Sequence, residues 1–132
     1  MGSRMPAGER RAAILRSAVK LFATRGFAGV TTRQLAAAAG VSEAMLYKHF
    51  PHKEALYRAI LENHLEAMER AVPIEGLASS GLSPERFFTE VGGTILRRME
   101  EDPTLLRLMF YSALEGHPLA RDFERARARR LR

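Results

Sequence analysis

Between Thr31 and Lys53 the chain gathers hydroxyl, phenol, imidazole and ammonium groups at spacings suited to gripping a phosphodiester backbone. The chemistry they offer is non-covalent: hydroxyls and ring N–H groups donate to phosphate, and cations neutralise it. Thr31 and Thr32 open one short apolar-periodic segment; Ser42, Glu43, Ala44 and Met45 open the next, which closes on Tyr47, Lys48 and His49. Side chains near the start of a groove-entering helix must be short if its backbone is to approach bases. Ser42, Ala44 and Met45 meet that requirement. Glu43 is open to two readings, an acceptor for a cytosine amine or a first-turn stabiliser facing away from nucleic acid. Tyr47 and His49 either donate to phosphate or pack inward with a polar tip outward. Lys53 sits at the expected start of a helix, where a cation opposes the macrodipole at a cost of roughly 0.3–1 kcal/mol. A phosphate at that helix start would explain the placement; the alternative is compensation by Glu54, with Lys53 in water. Arg33 is assigned to the backbone or a base edge, and Arg4, Arg10 and Arg11 to an arm reaching into a minor groove.

Two short helices joined by a tight turn must position these groups. Gly40 supplies the turn, because without a Cβ it accepts positive φ. Ala36 is the small residue at the helix crossing, and Leu35, Ala39, Val41 and Leu46 form the buried side. Thr31 with Gln34 three residues later has the form of a capping box, so a helix is predicted over 32–39. Ser42 is a natural N-cap for a helix over 43–48. Upstream, Ile14, Ala18, Leu21 and Phe22 repeat at helical spacing, predicting a helix over 9–24 that Gly26 ends, with Phe27 and Val30 plugging the junction. Pro51 breaks the chain, and Leu56, Ile60, Leu61, Leu65 and Met68 predict a long helix over 53–71.

The pattern Thr31-Thr32-x-x-Leu35-Ala36-x-x-Ala39-Gly40-Val41-Ser42-x-x-x-Leu46-Tyr47-x-His49-Phe50-x-x-Lys53-x-x-Leu56 resembles the DNA-binding domain of the TetR (tetracycline-repressor) family of bacterial transcriptional regulators. The resemblance covers roughly residues 10–65, and its specific part is the ending Leu46-Tyr47-x-His49-Phe50-x-x-Lys53. It implies an all-α fold: a three-helix bundle with a helix-turn-helix, followed by a helical effector-binding and dimerisation domain. It also implies DNA contacts at the positions of Thr32, Ser42, Ala44, Tyr47, Lys48, His49 and Lys53. The partners it implies are double-stranded DNA carrying a palindromic operator, a small apolar effector, and a second copy of the chain in a homodimer. The family's two further long helices, which complete its dimer bundle, are missing here, so the second domain is expected to be incomplete.

Charge distribution agrees with a nucleic-acid partner. Residues 1–53 hold nine Lys and Arg against Glu9 and Glu43, a surplus of seven; residues 54–132 hold twelve against thirteen acids. A basic segment coinciding with a groove-reading motif is where a polyanion docks and releases counterions. The basic stretch from Arg121 to Arg132 is read as a solvent-facing helix stripe with Leu119, Phe123 and Leu131 on its apolar side.

The 132 residues divide into a disordered N-terminal arm or tag remnant over 1–8, a helix-turn-helix domain over 9–52, and a connecting helix with part of a second domain over 53–132. Residues 73–82 read as a loop. Ser83-Pro84-Glu85 restarts a helix running to about Glu101, interrupted by Gly92-Gly93, which cost about 1 kcal/mol each relative to Ala; either a neighbour packs closely there or the helix bends. Asp102-Pro103 opens a helix whose apolar residues run almost all round, the pattern of a buried segment. Pro118 begins a last, charged helix. Phe87, Phe88, Leu96, Met99, Leu108, Met109 and Phe110 are the candidates for an effector cavity, with ordinary core packing as the plainer alternative.

The absence of Cys excludes disulfides and thiolate metal sites, and no apolar run reaches the ~20 residues of a membrane helix. Cytoplasmic location, on the nucleoid through DNA, is the expectation. His49-x-x-His52 is the closest imidazole pair, straddling Pro51, and no third ligand stands at a metal-site spacing. With no nucleophile–base signature, neither an enzyme, a metal nor a cofactor is expected. The functional expectation is a ligand-responsive transcriptional repressor; the alternative is a helix-turn-helix serving as a protein-interaction module.

Overall fold

The computed structural model describes residues 6–118, 121, 125 and 128. Among them seven helices follow one another and no strand occurs: α1 (Ala7–Arg25), α2 (Thr32–Ala39), α3 (Glu43–His49), α4 (Lys53–Ala71), α5 (Ile74–Ala78), α6 (Pro84–Glu101) and α7 (Thr104–Leu114). The all-α expectation holds.

Helix α1 starts at Ala7 because Pro6 fixes a compatible φ and its carbonyl accepts from Arg10 N at 3.0 Å. It buries Ile14, Ala18 and Phe22, one face of the 3.6-residue period. Gly26 ends it at φ 76°, ψ 175°, a region essentially closed to residues with a Cβ. The two ends of α2 are both set locally. Thr31 Oγ1 accepts from Gln34 N at 3.1 Å while Gln34 Oε1 accepts from Thr31 N at 3.0 Å, and Gly40 takes the left-handed conformation at φ 70°, ψ 29°. Ser42 caps α3 by accepting from Met45 N at 3.1 Å.

Leu35, Ala36, Leu46 and Phe50 meet Ile14, Ala18 and Phe22 in one buried cluster, with Ala39 and Val41 partly buried against it. The cluster continues along α4 through Leu56, Tyr57, Ile60 and Leu61, and Leu108 of α7 completes it. Phe22, Phe27 and Tyr57 form its aromatic centre, with Phe22 and Tyr57 edge to face at 5.0 Å. Such pairs add about 0.5–1.5 kcal/mol beyond their buried area. The helix-turn-helix therefore rests on a core that the second half of the chain helps to close.

Two expectations need correction, and one pair of alternatives narrows. Residues 73–82 are not all loop: α5 forms over Ile74–Ala78, because Pro73 presets its entry and the Ser79 and Ser80 hydroxyls donate to the Glu75 and Leu77 carbonyls. Helix α7 is not buried all round. Leu105, Leu108 and Ser112 face inward, but Phe110 is 60% and Leu114 82% exposed, since α1 and α4 lie against one side only. No close neighbour explains Gly92, where a methyl group would meet nothing within 4 Å among the described residues. The apolar stripe expected at Leu119, Phe123 and Leu131 lies outside the described residues, although Pro118 is helical as expected of a helix start.

Candidate nucleic-acid interface

Helix α3 is held by its inner face and offers its outer one. Leu46 and Phe50 are buried, whereas Ser42, Glu43, Ala44, Tyr47 and Lys48 are exposed, and Met45 and His49 are half-buried. Glu43, Ala44, Tyr47 and Lys48 recur at i, i+1, i+4 and i+5, so they share one face. Ala44 is the short residue in that row, which keeps its centre low enough for close approach to a base edge. The Tyr47 hydroxyl donates to Thr32 Oγ1 at 3.2 Å, so the reading face of α3 is tied to the first turn of α2. Thr31 and Arg33 are exposed beside it and Thr32 is half-buried. The structure thus joins Thr32 to Tyr47 and leaves Thr31, Arg33, Ser42, Glu43, Ala44 and Lys48 exposed.

Lys53 behaves differently. It is the first residue of α4, but its ammonium lies over the Phe27 ring, 4.2 Å from the centroid. Burial lowers its pKa, and the Glu115 carboxylate pulls it back up. The ammonium at this helix start therefore meets an aromatic face and a nearby acid, Glu115 and not Glu54, while burial still disfavours its charged form. The adjacent cap is His52, whose Nδ1 accepts from Ala55 N at 3.0 Å. A neutral ring accepting at Nδ1 carries its proton on Nε2. The His49-x-x-His52 pair accordingly has one nitrogen committed to the backbone.

The arginines expected in a minor-groove arm are placed otherwise. Arg10 and Arg11 belong to α1 and lean on α3: Arg10 Nη1 donates to Met45 Sδ at 3.6 Å, and Arg11 Nη1 to the His49 carbonyl at 3.2 Å. The Arg11 guanidinium also lies over the Phe50 ring at 4.3 Å. It satisfies one of the carbonyls that every helix leaves open at its C-terminus. Arg4 is outside the described residues.

The candidates for an effector cavity lie on α6 and α7, most of them exposed among the described residues. Phe87 and Phe88 meet edge to face at 5.5 Å, Phe88 is 71% and Leu96 63% exposed, Met109 is exposed and Met99 half-buried. An open groove of about 360 Å³ runs along α7, lined by Pro103, Leu106, Arg107, Phe110, Tyr111 and Leu114. Phe110 is the one cavity candidate in it, and Leu108 is instead core.

Sequence reasoning gave Arg11 and His52 other roles and missed Glu115. His52 had a usable signal, its position between Pro51 and a helix start. The other two act across 38 and 87–88 positions of chain, and no local pattern announces such contacts.

An all-helical head with this capping, turn and exposed face defines a helix-turn-helix protein. Residues 14–60 match the family model described as "Bacterial regulatory proteins, tetR family", and the chain belongs to the TetR family. It is similar to the nucleoid occlusion factor SlmA of Vibrio campbellii, 35% identical over 122 residues that cover 91% of this chain and 58% of that protein. It is also similar to the HTH-type transcriptional regulator RutR of Escherichia coli K12, 33% identical over 113 residues, 86% of this chain and 52% of that protein. A solved structure described as a gamma-butyrolactone receptor (ArpA-like protein) superposes with a TM-score of 0.67 at 32% identity, covering 85% of this chain and 56% of its own. The chain spans about half the length of the curated relatives it matches. No helix among the described residues is long and apolar enough to cross a membrane.

Proposed function

We propose that this chain carries the DNA-reading head of a sequence-specific transcriptional regulator, a ligand-responsive repressor acting as a homodimer on a palindromic operator in the cytoplasm. Residues 9–52 form the head; 53–132 supply a connecting helix and part of an effector-binding domain. The observation that carries the reading is the exposed row Glu43, Ala44, Tyr47 and Lys48 on a helix pinned from behind by Leu46 and Phe50. Ser42, Ala44 and Met45 approach base edges, and Glu43 accepts from a cytosine amine or stands aside. Thr31, Thr32, Tyr47, His49 and Lys53 hold phosphates, Arg33 meets the backbone or a base edge, and Lys48 meets the duplex. The SlmA, RutR and gamma-butyrolactone receptor names differ in what they describe, so the shared head supports DNA reading more firmly than it supports any one effector. The apolar face of α6 and α7, with Phe88, Leu96, Met109 and Phe110 uncovered, supports an apolar small-molecule effector in the complete domain.

Selection of duplexes from a random pool by the purified chain tests the reading. A recurring motif should emerge, with affinity that falls steeply as salt rises. Equal binding to the selected duplex, its scrambled version and heparin would refute it. Exposed Glu43 on the reading face favours a second possibility, a head that docks on protein; salt-insensitive capture of a protein with no duplex preference would establish that instead.

A further inference from the structure

Glu115 stands just beyond α7 and reaches back to the turn that follows α1. Its Oε1 accepts from the Phe27 amide at 2.9 Å and its Oε2 from the Ala28 amide at 2.8 Å. A carboxylate accepting from two consecutive amides makes charge-assisted bonds roughly twice as strong as neutral ones. The surroundings fit this approach closely. The Tyr111 hydroxyl donates to the Thr24 carbonyl at 2.8 Å, and the Tyr57 hydroxyl donates to the Leu108 carbonyl at 3.3 Å. Gly26 brings the backbone so near that a Cβ there would strike both Glu115 and Tyr111. On the far side, Lys53 lies on the Phe27 ring within the field of the same carboxylate. The α2–α3 unit enters the fold through the segment Phe27–Thr31, whose first two amides Glu115 holds, and leaves it through Phe50–Lys53, whose last residue rests on the Phe27 ring.

We propose that Glu115 is a positioning residue of the reading head, fixing through the Phe27 and Ala28 amides the angle at which the α2–α3 unit stands on the core formed by α1, α4 and α7. The inference rests on the DNA-reading assignment and adds to it the point at which the second half of the chain governs that site. Glu115 lies off the outer face of α3 and neutralises no phosphate. By charge alone, removing an acid from a cationic head strengthens binding to every duplex. A positioning role requires the opposite for the preferred duplex.

The test uses the 132-residue chain and its Glu115→Gln and Glu115→Ala variants, well below their melting temperatures, with a duplex selected by the wild type and a scrambled duplex as probes. Expected are a loss of about tenfold in affinity for the selected duplex, an unchanged salt slope and no loss for the scrambled one. Amide exchange at Phe27 and Ala28 should quicken by at least about tenfold, while the Gly26 amide, bonded to the Phe22 carbonyl, stays protected. Tighter binding to both duplexes would overturn the proposal, leaving a charge effect. Faster exchange with unchanged duplex preference would overturn it too, leaving a clamp with no hold on reading. If the wild type selects no duplex, the DNA assignment fails by itself. The positioning claim is then decided by whether Glu115→Gln shifts the amide resonances of Gln34 and Leu46, and unmoved resonances defeat it.

Discussion

The Tyr47 hydroxyl donates to the Thr32 hydroxyl oxygen at 3.2 Å, so the phenol that faces outward from α3 is oriented by the first residue of α2. That bond leaves the Tyr47 oxygen free to accept and lets it exchange Thr32 for a phosphate oxygen without moving the ring. Tyr47→Phe should therefore weaken binding to selected and scrambled duplexes alike, by about ten- to a hundredfold for a bond to a charged acceptor. The salt slope should stay constant, because a neutral phenol displaces no counterion. Thermal stability should change by less than about 1 kcal/mol, since the side chain is 44% exposed. A loss confined to the selected duplex would mean that Tyr47 reads a base and not the backbone.

Gly26 and Gly40 both have positive φ, but their neighbourhoods differ. Around Gly40 a Cβ would meet nothing within 4 Å, whereas at Gly26 it would meet Glu115 and Tyr111. Gly40→Ala should cost only the left-handed penalty of roughly 1–2 kcal/mol and leave the helix-turn-helix assembled. Gly26→Ala adds collision to strain and breaks the Glu115 clamp, so its loss in chemical denaturation should clearly exceed that of Gly40→Ala. Equal losses would show that the turn after α1 yields easily and that the fit around Glu115 is slack.

The contrast between those glycines marks what the residue pattern reveals and what it hides. Thr31 with Gln34, Gly40 and Ser42 act within four residues of themselves, and each did what its type and spacing predict. The buried stripe of α1 and α4 was legible for the same reason, because a 3.6-residue period is written along one segment. The Glu115 clamp joins groups 87 and 88 positions apart, and nothing near Glu115 distinguishes it from the other acids of the second half. Lys53 is an intermediate case: its helix-start position was readable, but its seat on Phe27 depends on a ring delivered by another element. In α7 the apolar content indicated a wish to be buried, while Phe110 and Leu114 remain exposed because burial depends on neighbours and not on composition.

Lys53 yields a direct test of its two possible loyalties. With its ammonium on Phe27, it contributes a cation–π contact worth about 0.5–1 kcal/mol at a partly exposed site. In complex with DNA it is expected to swing to the phosphate at the start of α4. Lys53→Ala should then weaken all duplexes and reduce the slope of log affinity against log salt by about 0.9, with only a small fall in melting temperature. An unchanged slope would show that the ammonium stays on Phe27 when DNA is bound.

His64 and Asp102 give the fold two separable sensitivities to acid. His64 on α4 has a buried Nε2 without a hydrogen-bond partner, and burial pushes its pKa below the usual value, with the Asp102 charge partly restoring it. The unfolded chain therefore takes up this proton first, near pH 6.5, and stability that is whole above that pH falls as the solution becomes more acidic. Asp102 accepts from both the Thr104 hydroxyl and amide, bonds that hold its carboxyl below the usual carboxylate range. Its contribution is present at neutral pH and is lost only as pH falls through about 4 and below. Melting curves between pH 8 and 3 should show both windows in the wild type. His64→Leu should flatten the upper one and spare the lower. Asp102→Asn should flatten the lower one and steepen the upper, because the imidazolium loses its nearby anion. If His64→Leu melts with the wild-type pH profile, the imidazole is hydrated in solution and the burial of its Nε2 has no thermodynamic weight.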